Sequence, residues 1–452
     1  MSSGTADTNT RAGDITKFTI GGSPDFSPVV QDLRYFENVL ESSIRVDVII
    51  EETGLTDTEK IGARGVLNTL PIRGGEEVLL DIEDNQDKPN KLSFKREKSL
   101  YVNNVGNVDP GTQTDIYSMQ FRPREYLANN QTRVVKRYDG RISSNVVEIL
   151  TENGGIQTQK AIRTDVTAIP YNFIGNDKKP FYICTWLAGK AIPAMIVDGK
   201  STIGGAAGYF FFETFDGYHF KAVDKLLEGE PLKRYILTGK PDSPPPGYTG
   251  KIISANVGRF IDLERNLNMG IYANRSIFFD YYDMKYEVRD YNIKDNQNDK
   301  VKNAGADEVG QHINKEFTAG PSRLMSHILD VGTLPSGTST KEQLETWKNN
   351  PDRPTWDAAN SMVQSLMRYN QLFTIQTDVI IAGDFSLRAG QLIYCDFPTL
   401  TVDKNKEVNQ QTGGIYMIAS LCHQLTRGEC YTHLTLVRDT FGRIPWKENQ
   451  ND

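Results

Sequence analysis

The stretch Gly208–Phe220 reads Gly-Tyr-Phe-Phe-Phe-Glu-Thr-Phe-Asp-Gly-Tyr-His-Phe. Two runs rich in aromatic residues flank the dipeptide Asp216-Gly217, which is typical of a tight hairpin turn. An unbroken apolar run such as Tyr209–Phe212 is typical of a strand that is buried on both faces. The segment therefore predicts a central β-hairpin, whose aromatic side chains form either internal core or a contact between subunits, where such residues are enriched.

The residues around this hairpin predict a small α+β unit. Pro180–Ala188 reads as a helix with proline in its first turn, and Val223–Leu227 reads as a short helix after the hairpin. The glycine-rich run Gly204–Gly208 opens a strand rather than a helix. It therefore lacks the helix N-terminus that binds phosphate in glycine-rich nucleotide loops, and we interpret it as a tight turn.

The sequences on both sides of this unit show the pattern of short β-strands. In the first flank, strands are predicted at Ile44–Ile50, Glu76–Ile82 and Thr114–Phe121, with a short helical pattern at Val30–Leu40. A further helix is predicted at 143–152, with Ser144 as its N-cap. Short strands separated by turns indicate a small antiparallel barrel or sandwich.

The second flank repeats the pattern of short predicted strands found in the first flank, in the same order. The matched segments are Val46–Ile50 with Thr377–Ile381, Gly75–Ile82 with Gly390–Phe397, Leu100–Val102 with Ile415–Met417, and the strand ends Phe121-Arg122 with Val437-Arg438. Few identities support the match, so chance likeness between two β-rich segments is the alternative. We interpret the pattern as a duplicated barrel with an insertion.

The predicted fold class is mainly β with an α+β insertion: two similar small antiparallel β-barrel domains of the tube type plus a small α/β domain. The expected parts are a disordered N-terminal arm (1–13), the first barrel (14–154), the inserted domain (155–238), a region of linker, strands and long polar loops that partly belongs to the second barrel (239–355), the second barrel (356–442) and a C-terminal tail (443–452). The polar loops are expected at 292–316 and 332–353.

Composition narrows the classes of function. The 452 residues carry 51 basic and 58 acidic side chains, a formal net charge of −7, without a basic stripe of the kind that nucleic-acid binders present. The N-terminus lacks an apolar secretion signal, and no apolar run is long enough to cross a membrane. The four cysteines read as small core residues of a protein that folds in a reducing cytoplasm.

Catalytic and metal-binding patterns are weak. Cys422, His423, Cys430 and His433 fall on one predicted hairpin, but strand alternation places Cys422 and His423 on opposite faces. We therefore predict a core cysteine beside an exposed histidine rather than a metal site. Because no cleft-forming pair of carboxylates stands out, the sequence predicts no catalysis, no metal and no cofactor.

The hairpin segment resembles the baseplate hub family of T-even-type contractile-tailed phages, in which such a hairpin and a Leu-Leu helix lie between two barrels. Leu226-Leu227 match that helix. The resemblance covers most of 30–442 and includes the runs Lys179–Ala188, Leu387–Ile393, Gly414–Ile418 and Thr435–Asp439. The signature positions, as core or interface candidates, are Tyr209, Phe210, Phe211, Phe212, Glu213, Thr214, Gly217, Tyr218 and Phe220.

The resemblance implies a structural virion protein. It implies a homotrimer that joins the sixfold tail tube to the threefold central spike and encloses a channel for DNA, assembled in the host bacterial cytoplasm. The implied partners are a separate spike protein with an OB-fold type N-terminal part, the tail tube or its initiator, and other baseplate proteins, with non-specific passage of DNA and no membrane insertion. The alternatives are a hub or tube-initiator of another contractile injection system and a cell-wall-degrading tail enzyme.

Overall fold

The computed structural model describes residues 13–23, 25–52, 72–110, 114–197, 200–238, 244–259, 261–280, 284–293, 302–329, 342, 345, 358–399 and 408–446. Residues 1–12 of the predicted arm, 239–243 of the linker, 447–452 of the tail, 294–301 of the first polar loop and nearly all of the second loop lie outside these ranges.

Strands predominate, as the sequence predicts. They are β1 (Asp14–Ile20), β2 (Val30–Asn38), β3 (Arg45–Glu52), β4 (Glu77–Glu83), β5 (Lys91–Phe94), β6 (Leu100–Pro110), β7 (Asp115–Pro123), β8 (Arg137–Tyr138), β9 (Ile162–Thr164), β10 (Phe173–Ile174), β11 (Ala194–Val197), β12 (Lys200–Ile203), β13 (Tyr209–Thr214), β14 (Gly217–Ala222), β15 (Arg234–Leu237), β16 (Gly250–Arg259), β17 (Ala273–Asp280), β18 (Lys285–Asn292), β19 (Arg323–Ile328), β20 (Ile375–Ala382), β21 (Leu392–Asp396), β22 (Gly414–Thr426) and β23 (Glu429–Arg438). The helices are α1 (Arg124–Gln131), α2 (Ile142–Thr151), α3 (Pro180–Ala188), α4 (Val223–Leu227), α5 (Leu263–Asn268), α6 (Lys315–Ala319) and α7 (Ala358–Leu372).

The N-terminal sheet has the strand order β1-β4-β6-β7-β3-β2, with β5 beside β4. Its strands alternate between buried and more exposed residues, and in β3 Val46, Val48 and Ile50 face inward. This period of two places one face of the sheet on the core. Within the described residues the edge strands β1 and β2 do not pair with each other, so this sheet is open. We call it the first barrel only because its strand order is the same as that of the closed barrel described next.

The C-terminal strands close into a barrel of six strands, in the order β15-β21-β22-β23-β20-β16. The closing pair, β15 and β16, is parallel, and β15 is also parallel to β21. Closure is partial along β16, because β15 pairs only with Gly250–Ile252 and the rest of the strand pairs, within the described residues, with β20. One hydrophobic core, which includes Phe18, Tyr35, Tyr416 and Leu436, runs through both barrels.

The predicted duplication is confirmed by the strand order, because β1, β2, β3, β4, β6 and β7 occupy the same positions as β15, β16, β20, β21, β22 and β23. Even the irregularities repeat. The β2·β3 ladder shifts between Val30 and Asp32, and the β16·β20 ladder shifts between Ile252 and Ser254. The strand pairing of β6 with β7 and of β22 with β23 makes Leu100–Val102 equivalent to Tyr416–Ile418. The sequence comparison had matched Leu100–Val102 with Ile415–Met417, one residue earlier.

The inserted unit is built on a sheet in the order β13-β14-β9. Its core contains residues of α2, α3 and the hairpin, including Val146, Ile149, Leu187 and Phe211. The helix predicted at Pro180–Ala188 is present with those bounds, and its first residue is the proline.

A third sheet, in the order β18-β17-β19, lies next to α7. Phe278 and Tyr291 of this sheet share a core with Val363 and Met367 of the helix. The opposite face leaves Tyr286, at 74% exposure, and other apolar residues, Leu324 and Ile328 among them, open to solvent.

Two local predictions are wrong. Val30–Leu40 is not helical: Val30–Asn38 form β2, because β3 and β22 provide hydrogen-bonded ladders on both of its sides. Ser144 does not cap α2, because that helix begins at Ile142 with Arg141 in the cap position and without a side-chain cap. Tertiary contacts overrode the local preference in both places.

The division into domains remains a proposal. Val134–Leu150 contribute to the core of the inserted unit, which favours a boundary near residue 124 rather than 154. β15 belongs to the second barrel by its pairing, although it precedes residue 239.

Candidate functional site: the junction between the barrels

The two barrels meet through one antiparallel ladder between β2 and β22. Seven residue pairs form it, from Asp32 opposite Thr426 to Asn38 opposite Ser420. The ladder uses only the C-terminal part of β22, since the N-terminal part pairs with β21. It merges both barrels into one continuous sheet of 13 strands.

The signature hairpin lies against this junction. Each of its nine predicted positions is buried, and β13 is buried along its whole length. Tyr209 and Phe211 belong to the core of the inserted unit, whereas Phe210 and Phe212 pack with residues of the second barrel that include Val437. The hairpin is thus a central layer with a hydrophobic core on each face.

The hairpin's aromatic rings pair across its two strands. Phe211 stacks on Tyr218 at 5.8 Å between ring centroids, and Tyr209 lies 4.8 Å from Phe220. Such pairs contribute about 0.5–1.5 kcal/mol each beyond the area they bury. The phenol oxygen of Tyr369, on α7, also accepts a hydrogen bond from the backbone N–H of Tyr209 at 2.9 Å.

Glu213 connects the hairpin to the first barrel through a buried cluster of three charges. The Lys160 ammonium lies 2.6 Å from Glu213 Oε1 and 3.0 Å from Glu125 Oε2. The other oxygen of Glu213 accepts the backbone N–H of Ile44, just before β3, at 3.1 Å. Burial disfavours the charge on Lys160, but the two carboxylates outweigh it and raise the pKa of Lys160.

Glu37 holds three parts of the chain together. Its carboxylate accepts the Tyr35 hydroxyl at 2.6 Å within β2, the N–H of Phe215 in the hairpin turn at 2.8 Å, and the N–H of Ala389 before β21 at 2.8 Å. Burial raises the pKa of Glu37. Because all three contacts are hydrogen bonds to one carboxylate, a shift of either barrel would leave buried donors without an acceptor.

Arg368 makes the corresponding connection from α7. Its guanidinium donates to Asp224 of α4 at 3.1 Å and to Asp439, just after β23, at 2.8 Å. Asp224 also accepts the N–H of Ala206, and Asp439 accepts the N–H of Ala304. Burial opposes the charge of Arg368, but the two carboxylates raise its pKa.

Sequence reasoning did not identify Glu37, Lys160 or Arg368, although it included Glu213. The one local signal is a charged residue that directly follows a run of aromatic residues, as at Glu213 after three phenylalanines and at Glu37 after Tyr35-Phe36. Charged residues are seldom fully buried unless they are paired, so such positions point to a partner without naming it.

The prediction of a core cysteine beside an exposed histidine is wrong about which of the two side chains is buried. Cys422 and His423 do point to opposite sides, but His423 is the buried residue and Cys422 is only partly buried. The ring of His423 lies 4.6 Å from that of Phe385 and 5.8 Å from that of Tyr35. Across the described residues, no group of three or more His, Cys, Asp or Glu side chains is arranged to hold a metal ion.

His423 should make the folded protein sensitive to acid. Burial lowers the pKa of His423 to about 3, well under the ordinary value of 6.5. Below pH 6.5 His423 therefore binds a proton in the unfolded chain but stays neutral in the folded chain. This group leaves the free energy of unfolding unreduced above pH 6.5 and lowers it as the pH falls from 6.5 towards 3. Between pH 6.5 and pH 4 this group should cost about 3 kcal/mol.

Urea denaturation of the wild type and of His423→Gln across pH 4–7 measures this contribution. The variant should lose less stability on acidification than the wild type. His312→Gln, at an exposed histidine, is the control and should keep the wild-type slope. Equal slopes for the wild type and His423→Gln would contradict the prediction.

No protein-family model and no curated protein matches the sequence. Among solved structures, the 43 kDa tail protein of prophage MuSo2 from Shewanella oneidensis is similar with a TM-score of 0.54 at 9% identity, over 95% of this chain and 100% of that chain. The tail protein from Neisseria meningitidis MC58 is similar with a TM-score of 0.53 at 9% identity, over 95% and 97%. The chain therefore has the fold of phage tail proteins, as the resemblance implied.

Every helix in the described ranges is too short or too polar to span a bilayer.

Proposed function

We propose that this chain is a structural virion protein, the hub at the centre of a phage tail baseplate. Three copies would form a ring that joins the sixfold tail tube to a threefold central spike. The observation that carries the proposal is the duplication: one chain contains two barrels with the same strand order, joined edge to edge. Three such chains would present six units with the same strand order to a sixfold partner and would keep threefold symmetry for the other partner.

The electrostatics suit a conduit for DNA. The net charge of −7 gives the chain no general attraction for phosphate. DNA would then pass through the centre of the ring without the counterion-releasing contacts that make nucleic-acid binding tight. In this proposal the partners are a separate spike protein, the tail tube or its initiator, and other baseplate proteins, and the site of action is the tail of the virion.

The buried charges favour a structural role over a catalytic one. Glu37, Glu213 and Arg368 each contact at least two different elements of the chain and are shielded from solvent. General acid–base catalysis needs such groups within hydrogen-bonding reach of a substrate. A hub of another contractile injection system shares the same structural argument, whereas turnover of peptidoglycan by the pure protein would favour a tail enzyme.

The mass of the native protein tests the proposal. Native mass spectrometry or light scattering at micromolar concentration should give three times the chain mass of 50.8 kDa, either for the protein alone or after a spike protein from the same phage is added. A protein that stays monomeric under both conditions would contradict the trimeric hub.

A further inference from the structure

A cleft that the proposed function does not use lies beside the C-terminal end of β23. Its volume is about 640 Å³, and its walls come from α5, the loop before α6 and the residues that follow β23. This volume is within the range of about 300–1,000 Å³ that ligand sites occupy in proteins. The cleft is therefore large enough to hold a ligand.

The lining of the cleft is mainly apolar, and its apolar surface continues onto the rim. Leu263, Val309 and Ile313 are half-buried in the walls. Two further lining residues are largely open to solvent, since Ile261 is 72% exposed and Phe317 is 44% exposed. Contiguous exposed apolar surface of this kind is typical of an interaction site.

Local contacts hold the loop wall of the cleft in place. The Gln311 side-chain oxygen accepts the backbone N–H of Glu308 at 2.9 Å, and the carbonyl of Glu308 accepts the N–H of Gln311 at 3.1 Å. Gly310 has a φ of +77° and packs on the ring of Tyr272, because a Cβ at this glycine would lie 3.3 Å from that ring. These contacts are all made within the protein, so the wall is pre-formed.

One buried acceptor in the cleft lacks a donor. Asn266, on α5, lines the cleft, is 4% exposed and donates through Nδ2 to the hydroxyl of Tyr272 at 3.0 Å. Within the described residues, its Oδ1 accepts no hydrogen bond. A buried polar atom without a partner is costly, so a ligand that brings an N–H to this oxygen would be favoured.

The charges in the cleft favour a basic ligand. Asp307 and Glu308 both line it, and the described lining residues include no lysine or arginine. Asp439 also lines it, but its carboxylate is paired with Arg368 at 2.8 Å. Asp307 lies 3.2 Å from His312, which is a cation only when it is protonated. A basic ligand would therefore be attracted and an acidic one repelled.

We propose that this cleft binds a short segment of a partner protein in which an apolar side chain lies next to a lysine or arginine. The apolar side chain would fill the cleft, the basic group would meet Asp307 and Glu308, and an N–H of the segment would donate to Asn266. The exposed residues Ile261 and Phe317 favour a chain segment over a free small molecule, because a segment continues past the cleft and covers them. The inference goes beyond the proposed function and holds for any number of copies in the hub.

A subtractive selection from a random peptide library tests the proposal. The library is first depleted on the double variant Glu308→Lys with Phe317→Ala, and the remaining peptides are then selected on the wild-type protein. Both substituted side chains are exposed, so the melting curve of the variant should match that of the wild type. The recovered peptides should contain an aromatic or aliphatic residue beside Lys or Arg. Recovery of no peptide, or of peptides without a basic residue, would overturn the proposal.

The dissociation constant of a recovered peptide measures the contribution of each side. Glu308→Lys should weaken binding by about fivefold or more, because an attraction becomes a repulsion. Glu97→Lys makes the same change of charge at an exposed residue outside the cleft and should leave the affinity unchanged. Phe317→Ala should weaken binding more than Phe279→Ala, at a phenylalanine of similar exposure. Equal effects within either pair of variants would overturn the site.

Two measurements test other occupants of the cleft. Tryptamine carries an aromatic ring and a cation without a peptide chain, and it should bind much more weakly than the recovered peptide. Binding as tight as that of the peptide would favour a free small molecule and overturn the proposal. Glu308→Lys should keep the native mass of the wild type, whereas a lower mass would place a second copy of this chain in the cleft and would also overturn it.

The outcomes separate this inference from the proposed function. A native trimer from which no peptide is recovered overturns the role of the cleft and leaves the hub standing. A strict monomer, with or without the spike, that yields peptides with the expected response to Glu308→Lys supports this inference and contradicts the trimeric hub.

Discussion

Lys160→Met is expected to lower the free energy of unfolding by about 3–5 kcal/mol. The substitution keeps a side chain of similar length but leaves Glu213 and Glu125 buried and close together without a cation. Like charges in a medium of low polarity repel strongly, and water does not reach them. The measurement is urea denaturation at pH 7.5.

Lys136→Met is the matched control for this variant. Lys136 also lies between two glutamates, Glu148 and Glu152, but this group is exposed to solvent. Its loss should change stability little, because water screens exposed ion pairs. A loss for Lys160→Met no larger than that for Lys136→Met would contradict the role given to the buried cluster.

A second substitution should restore part of the lost stability. Adding Glu213→Gln to Lys160→Met removes one of the two buried carboxylates that have lost their cation. The glutamine keeps an oxygen that can accept a hydrogen bond from the backbone N–H of Ile44. We expect the double variant to be more stable than Lys160→Met alone. Non-additivity of this sign is what coupled neighbours show in a double-mutant cycle.

Phe212→Ala is expected to cost about 3–5 kcal/mol of the free energy of unfolding. Its ring is buried between the hairpin and the second barrel and stacks on His219 at 5.0 Å between ring centroids. Gly390 leaves room for that ring, since a Cβ at this glycine would lie 2.9 Å from it. Truncation of Phe212 to alanine would therefore leave a cavity between the hairpin and the backbone at Gly390.

This variant also distinguishes core from subunit interface. If Phe212 is core, Phe212→Ala should lower the unfolding midpoint at every protein concentration. Phe279→Ala, at a phenylalanine that is 41% exposed on β17, is the control and should cost much less. A variant with an unchanged midpoint and weakened assembly would instead place Phe212 at a contact between chains.

Local patterns were sufficient for elements with a turn or helix signal of their own. The hairpin around Asp216-Gly217 and the helix Pro180–Ala188 have the predicted bounds, or bounds within a residue of them. The duplication was also visible, because Gly75–Ile82 and Gly390–Phe397 carry the same alternation and occupy equivalent strands. In each case the information lies within about ten neighbouring residues, where turn geometry and side-chain period act.

Long-range pairing decided what local patterns could not. Val30–Asn38 became a strand because β3 and β22 provide ladders on both sides, and those partners are distant in sequence. The same ladders turned His423 inward and Cys422 partly outward. A one-residue change of register reverses every face of a strand, so alternation alone identifies opposite faces but not which one is buried.

The sequence by itself determined the β-rich class, the hairpin and the repeat of the barrel. Only the tertiary structure decided that the second barrel closes through a parallel pair, that β2 and β22 join the barrels, and that Glu37, Lys160 and Arg368 meet their partners. The physical reason is that backbone preference and side-chain period act between neighbours along the chain. Barrel closure and charge pairing depend instead on groups that folding alone brings together.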